Sequence, residues 1–206
     1  MTTRNPEREG APWKQDIIFP VGADPLAVAA VICAMDAWTR GVRESGGANR
    51  GPEVEQYQLG WRANRGYLLG ERWCACFVRY VYEKGASDVG LISPFVGWRR
   101  ADRDKADTDL ASATKWLEAA RWLEGLGQTR LVDSPAFGDV GLFVDPNHVV
   151  LVVDPDPGPA ARARATTLGI KRPIVTIEGN FQNRVEMVLR DAGDFRAFVR
   201  VVGSVS

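Results

Sequence analysis

Residues 71–85 read Glu-Arg-Trp-Cys-Ala-Cys-Phe-Val-Arg-Tyr-Val-Tyr-Glu-Lys-Gly and have the pattern of a partly buried helix. The apolar side chains that follow Cys74 are Phe77, Val78, Val81 and Tyr82. Their spacing, with charged residues between them, is helical rather than strand-like. Gly85 is a typical C-terminal stop. The pattern therefore predicts a helix that ends at Gly85 and whose first turn begins at or just after Cys74.

The position of Cys74 favours formation of a thiolate. The first turn of a helix has unpaired backbone N–H groups, and the helix dipole stabilises negative charge there. At such sites the pKa of a cysteine can fall from ~8.5 to roughly 3.5–7.5. Taken alone, the Trp-Cys pair does not favour a nucleophile, because a lone cysteine in a hydrophobic helix is more commonly a buried structural thiol.

His148 is the only histidine of the chain and therefore the candidate base for Cys74. A cysteine nucleophile needs a group that takes its proton and later protonates the leaving group, and imidazole does both near neutral pH. His148 begins a predicted strand, 148–154, that is apolar on both faces and hence central.

Glu178 and Asn180 are the candidates for the group that orients His148. Side chains alternate along a strand, so Thr176, Glu178 and Asn180 are expected on the same face of the sheet. If the strands that start at His148 and end near Glu178 are antiparallel neighbours, these polar residues meet at one edge of the sheet. A carboxylate or amide there would hold the tautomer of the base. The alternative is that 178–180 is an ordinary turn.

The remaining pattern predicts an α+β domain with helices first and an antiparallel sheet of about five strands after them. Asp24 and Pro25 predict the start of a core helix. The predicted strands are 138–144, 148–154, 174–179, 185–190 and 195–202. Residues 155–173, rich in Pro, Gly, Ala and Arg, are predicted to be a surface loop. We expect a flexible segment, residues 1–20, and one domain, residues 21–206.

The amino-acid composition limits which classes of partner and which cellular compartment are expected. The chain has 26 Lys plus Arg and 26 Asp plus Glu, a balance that argues against a nucleic-acid partner. We expect neither a signal peptide nor a membrane-spanning segment. The three cysteines lack paired spacing, which predicts synthesis in a reducing cytoplasm without a disulfide framework. Cys76 lies about 200° around the helix from Cys74 and should face the core. A metal site built on Cys74, Cys76 and His148 would need further soft ligands, and the chain has no second cysteine pair and no second histidine, so no metal is predicted. Attack by a thiolate with a histidine base requires no cofactor, so none is predicted.

Six motifs occur in an order that resembles the cysteine, histidine-dependent amidohydrolase/peptidase (CHAP) family of phage lysins and bacterial wall hydrolases. They are Asn-Arg-Gly-Pro-Glu-Val at 49–54, Trp-Cys-Ala-Cys-Phe-Val at 73–78, the helix at 113–122, Pro-Ala-Phe-Gly-Asp-Val at 135–140, His-Val at 148–149 and Glu-Gly-Asn at 178–180. The resemblance covers roughly residues 25–202 and implies a papain-like fold.

The resemblance also implies a function and a set of site residues. It implies hydrolysis of an amide bond in peptidoglycan, with Cys74 as nucleophile, His148 as base, Glu178 as the residue that orients the base and Asn180 as the remaining polar member. Two residues depart from the family pattern. Asn147 stands where the family has Gly, and Val150 stands where it has a small residue, which predicts a narrower cleft floor.

Other functions are compatible with the sequence. One is a non-catalytic wall-binding or phage structural module on the same fold, with Trp61, Trp98, Trp116 and Trp122 stacking on sugars. Another is an acyltransferase that uses the same thioester. As a hydrolase, the protein would act on the cell wall after non-classical export, holin release or delivery into a target cell. A delivered toxin would need a neutralising (immunity) protein as partner.

Overall fold

The computed structural model describes residues 12–14, 17–60, 69–95, 113, 115–145 and 148–202. Its α-helices are α1 (Pro25–Arg40), α2 (Pro52–Leu59), α3 (Cys74–Asp88), α4 (Trp116–Gly125) and α5 (Pro159–Leu168). Its strands are β1 (Thr129–Val132), β2 (Val140–Phe143), β3 (Val149–Asp154), β4 (Pro173–Phe181), β5 (Arg184–Asp191) and β6 (Phe195–Val201). Short 3₁₀ turns cover Pro12–Lys14 and Ala192–Asp194.

The strands form one antiparallel sheet in the order β1-β6-β2-β3-β4-β5. The α+β class is as predicted. Helices α1 to α4 precede the strands, as predicted, whereas α5 lies between β3 and β4. The sheet has six strands rather than about five, because the sequence pattern did not reveal the short edge strand β1, which pairs only with β6. The central strand β3 is buried on both faces, as its apolar composition predicts.

The two faces of the sheet carry different cores. Val149, Leu151 and Val153 of β3 pack into the main core, which includes residues of all five helices. Val150 and Val152 point the other way and join a smaller cluster with Phe195 and Phe198. Val150 is completely buried in this cluster. It therefore packs in the interior and does not line the floor of an open cleft, contrary to the prediction.

Helix α1 begins where the sequence predicts, and both of its ends are capped. The Asp24 side chain accepts hydrogen bonds from the backbone N–H groups of Leu26 and Ala27, at 2.8 and 3.2 Å. Gly41 ends the helix in the left-handed conformation with φ 75°. These two caps satisfy backbone groups that a helix leaves unpaired at its ends.

Gly85 does not end α3, contrary to the prediction, because the helix continues to Asp88. A Cβ atom at position 85 would lie 2.8 Å from the carbonyl carbon of Ala29 and 2.8 Å from the nitrogen of Ala30. Glycine is therefore required where α3 passes close to the backbone of α1. This contact holds the helix of Cys74 against the rest of the core.

Gly85→Ala is expected to lower the free energy of unfolding by about 1–3 kcal/mol, the usual cost of overpacking a core. The backbone of α1 would have to move to admit the methyl group. The matched control is Gly125→Ala at the end of α4, where an added Cβ meets nothing within 4 Å. Urea denaturation of both variants is the measurement. Equal stability of the two would contradict a close crossing of α1 and α3.

Residues 155–173 contain helix α5, contrary to the prediction of a surface loop. Pro159 occupies the first turn, and Gly169 ends the helix with φ 74°. Ala161 and Ala165, four residues apart, are buried against the main core. The prediction was wrong because the prolines and glycines of this segment mark the ends of a helix.

Part of the predicted flexible segment 1–20 lies against the domain. In the turn Pro12–Lys14, the Lys14 ammonium contacts Glu186 Oε1 at 2.8 Å. Residues 1–11 and 15–16 lie outside the described residues. None of the helices in the described ranges has both the length and the apolar character that a membrane crossing requires.

Candidate active site

Cys74 is the first residue of α3 and only 4% exposed. Burial by itself raises the pKa of its thiol, but a hydrogen bond and the charge of His148 lower it, and the backbone N–H groups of Val149 and Ala75 lower it further. The net result is a pKa below the ordinary value of a cysteine. Cys74 is therefore buried in a site that stabilises its thiolate.

His148 immediately precedes β3 and connects Cys74 to Glu178. Its Nε2 atom lies 2.7 Å from Glu178 Oε2. Because an ionised carboxylate only accepts hydrogen bonds, Nε2 carries a proton. Nδ1 is then the ring nitrogen left for the hydrogen bond to Cys74. Burial lowers the pKa of His148, but these two partners outweigh burial and raise it to about 9. The imidazolium and the thiolate therefore stabilise each other.

Glu178 lies on β4 and has no exposed surface. Antiparallel pairing of β3 with β4 brings it beside the start of β3, as strand parity predicts. Its Oε1 accepts from the Thr176 hydroxyl at 2.7 Å and from Arg190 Nε at 2.8 Å. Its Oε2 accepts from His148 and, at 2.7 Å, from Arg190 Nη2. Burial favours the neutral acid, but Arg190 and His148 lower the pKa of Glu178 to about 2.

Gly179 sets the distance between β4 and α3. A Cβ atom at this position would lie 2.5 Å from the Cβ of Phe77, one turn after Cys74. The absence of a side chain lets the strand pass directly under the helix. The Glu-Gly pair therefore places a carboxylate on one face of β4 and a close helix contact on the other.

Asn180 contacts a different part of the molecule from the other three predicted site residues. It lies in the irregular pairing between β4 and β5 with φ 60°, and its Nδ2 donates to Asn49 Oδ1 at 3.2 Å. The structure thus brings Cys74, His148 and Glu178 together, and it places Asn180 at the loop that contains Asn49.

The loop at residues 44–51 is tied to the residues that precede Cys74. Glu44 accepts from Trp73 Nε1 at 3.0 Å and from the backbone N–H of Asn49 at 2.8 Å. The buried amide of Gln58 donates to the carbonyls of Asn49, at 3.0 Å, and Glu71, at 2.7 Å. These bonds fix the loop beside the start of α3.

Sequence reasoning missed Arg190 as a member of this site. A single arginine in a strand of alternating residues is most simply a surface residue. The only available signal was its parity on β5, and that parity becomes informative only when the pairing of β5 with β4 is known. Thr176 was placed on the face of Glu178 by parity, without a role.

The other cysteine of the motif and the predicted tryptophans have the following environments. Cys76 is completely buried in the main core, where burial raises its pKa to about 12. Trp116 is 1% exposed and cannot stack on a sugar, contrary to the prediction, whereas Trp122 is 37% exposed. Trp61, Trp98 and Asn147 lie outside the described residues. Within the described ranges, no group of three His, Cys, Asp or Glu side chains could hold a metal ion.

Comparison of the chain with protein-family models, curated proteins and solved structures found no match. The site is therefore interpreted from its own geometry. A cysteine of lowered pKa at a helix start, an imidazole that contacts it and a buried carboxylate behind the imidazole are the three parts needed for nucleophilic attack on a carbonyl.

Proposed function

We propose that this protein is a cysteine-dependent amidohydrolase or peptidase that cleaves an amide bond in peptidoglycan. The observation that carries the proposal is the chain of contacts from Cys74 through His148 to Glu178. A buried structural cysteine would not need a partner that lowers its pKa, and Cys76 shows that ordinary case two residues away. Polarised thiols of this kind are typical of catalytic sites.

The proposed reaction has two steps. The Cys74 sulfur attacks the amide carbonyl carbon, and His148 gives its proton to the departing nitrogen as the carbon–nitrogen bond breaks. Water then attacks the resulting thioester while His148 accepts a proton. The carbon–sulfur bond breaks, and the acid is released with the thiolate restored. The backbone N–H of Cys74, at the free end of α3, is the proposed donor to the oxyanion, a contact worth ~3–4 kcal/mol in other enzymes.

The substrate class and the papain-like fold are proposed from the resemblance to the CHAP family. Two features support them: the nucleophile begins a helix packed on an antiparallel sheet, and the histidine begins a strand of that sheet. Asn180 is proposed as the remaining polar member of the site, acting together with Asn49. The scissile bond would be the muramoyl-alanine amide or a stem or bridge peptide.

The place of action and the partner follow from this function as proposals. Peptidoglycan lies outside the cytoplasm, so the protein would reach it by non-classical export, holin release or delivery into a target cell. A delivered form would be held inactive in its producer by an immunity protein. The alternative function, a wall-binding or structural module, does not by itself require the Cys74–His148 contact.

Digestion of purified peptidoglycan sacculi tests the function. Wild-type protein is expected to release soluble fragments, each with a new free amine and carboxylate, and mass spectrometry of the fragments identifies the bond. Release of nothing by protein that still sediments with sacculi would reject the hydrolase and support the binding module. Product that appears only when a free amine is added would indicate acyl transfer instead.

A further inference from the structure

Arg190 is the partner of Glu178 on the side away from His148. It lies on β5, opposite Ile174 of β4. Its Nε and Nη2 atoms contact the two oxygens of Glu178 at 2.8 and 2.7 Å, a two-pronged arrangement. Each carboxylate oxygen thereby accepts one hydrogen bond from Arg190 and one from another side chain, Thr176 or His148. The carboxylate is fully hydrogen-bonded in one orientation.

Two aromatic rings hold the guanidinium of Arg190. The rings of Phe143 and Phe181 each lie 5.1 Å from its central carbon, within cation–π distance. Phe143 also contacts the His148 ring, with centroids 5.6 Å apart. Phe143 therefore packs against both the Arg190 guanidinium and the His148 imidazole, the two groups that hydrogen-bond to Glu178.

Arg190 balances the charge of the site. A Cys74 thiolate and a His148 imidazolium cancel, which leaves the negative charge of the buried Glu178. The guanidinium cancels that charge. Asp194, an exposed residue of the turn after β5, also acts on Arg190, but water screens it. Without a cation, burial favours a protonated carboxyl group, which cannot hold an imidazolium.

We propose that Arg190 is a positioning residue that keeps Glu178 ionised and oriented, so that His148 directs its second nitrogen toward Cys74 as an imidazolium. This inference rests on the assignment of Cys74 as nucleophile in the proposed function. It adds to the site a side chain that acts through Glu178. A charged, fork-shaped donor is required, because a lysine supplies the charge without the second hydrogen bond.

The test uses Arg190→Met, Arg190→Lys and the control Arg184→Met in the full chain. Arg184 lies on the same strand, is similarly exposed, and pairs with Glu186 at 2.9 Å. One measurement is the pH dependence of Cys74 alkylation by iodoacetamide, with labelled sites assigned by mass spectrometry. The other is the imidazole spectrum of ¹⁵N-histidine protein, which reports on His148 alone because the chain has one histidine.

Arg190→Met is expected to move the acid-side midpoint of alkylation to higher pH by at least about one unit, since Glu178 would then take up a proton more easily. It should also weaken the Nε2–H hydrogen bond in the spectrum and lower kcat/KM roughly 10–100-fold. Arg190→Lys should recover part of each change. Arg184→Met should leave the midpoint and the spectrum unchanged.

An Arg190→Met protein that is less stable but keeps the wild-type midpoint and spectrum would overturn the proposal, because Arg190 would then only pack. The two readouts need no cell-wall substrate. Failure to digest sacculi therefore counts against the proposed function alone, and an unmoved midpoint in an active enzyme counts against this inference alone.

Discussion

Cys74→Ala is expected to abolish amide hydrolysis, with turnover reduced at least ~10⁴-fold. The substitution removes the sulfur atom that forms the proposed thioester. His148, Glu178 and Arg190 would remain in contact. His148 could still accept a proton from water, but nothing would hold that water against the amide carbonyl in place of the Cys74 sulfur. The measurement is the rate of fragment release from sacculi, and binding to sacculi should persist.

Cys76→Ala is the matched control for this variant. Cys76 is the same residue type in the same helix, but it is completely buried in the main core with its pKa raised to about 12. Its substitution should cost about 1 kcal/mol of stability through lost packing and leave turnover within a few-fold of wild type. Equal loss of activity in the two variants would mean that helix α3 tolerates no change at its start, and Cys74 would lose its assignment.

Glu178→Gln is expected to have the second largest effect, with kcat lowered ~10²–10⁴-fold. Glutamine has nearly the shape of glutamate, but its amide nitrogen must face a donor of either His148 or Arg190, and the negative charge is gone. Arg190 would then be a partly buried cation without its anion, which should lower stability by ~3 kcal/mol. Steady-state kinetics and urea denaturation measure the two effects.

The stability effect of Glu178→Gln should depend on pH. The pKa of Glu178 lies near 2 in the folded protein, below the ordinary value of 4.5. The ionised form of Glu178 therefore stabilises the fold fully at pH values above 4.5. This stabilisation is lost as the pH falls toward the pKa of about 2 in the folded protein. The difference in stability between wild type and Glu178→Gln should shrink on acidification.

Glu186→Gln separates the catalytic effect from the loss of a buried ion pair. Glu186 is also buried and ion-paired, to Lys14 at 2.8 Å and to Arg184 at 2.9 Å. This variant should lose stability and keep kcat. If both variants kept wild-type kcat, the carboxylate behind His148 would have no part in the reaction.

Much of the candidate site could be predicted from local sequence. The helical spacing after Cys74 placed the thiol at a helix start. Strand alternation put Glu178 on the parity needed to meet the residue at the start of the neighbouring strand. These inferences work because backbone geometry alone fixes the 3.6 and 2.0 periods.

The missed elements depend on contacts between distant residues. Strand β1 has four residues and exists because Thr129 pairs with Val201, 72 positions along the chain. Helix α5 has the composition of a linker, and burial of two alanines stabilises it. Gly85 reads as a helix stop in isolation, but the approach of α1 explains it instead. Short-range patterns do not carry this information.

Local patterns in the sequence therefore predict the α+β class, the helix start at Cys74 and the face of β4 on which Glu178 lies, and the composition leaves His148 as the single histidine. The electrostatics of the site depend on contacts that form when the strands pair. The register of β4 against β5 brings the guanidinium of Arg190 onto Glu178, and Phe143 and Phe181 hold it there. Register between strands is set by packing and by the irregularity after Glu178, so the charge that balances the carboxylate cannot be assigned before the chain has folded.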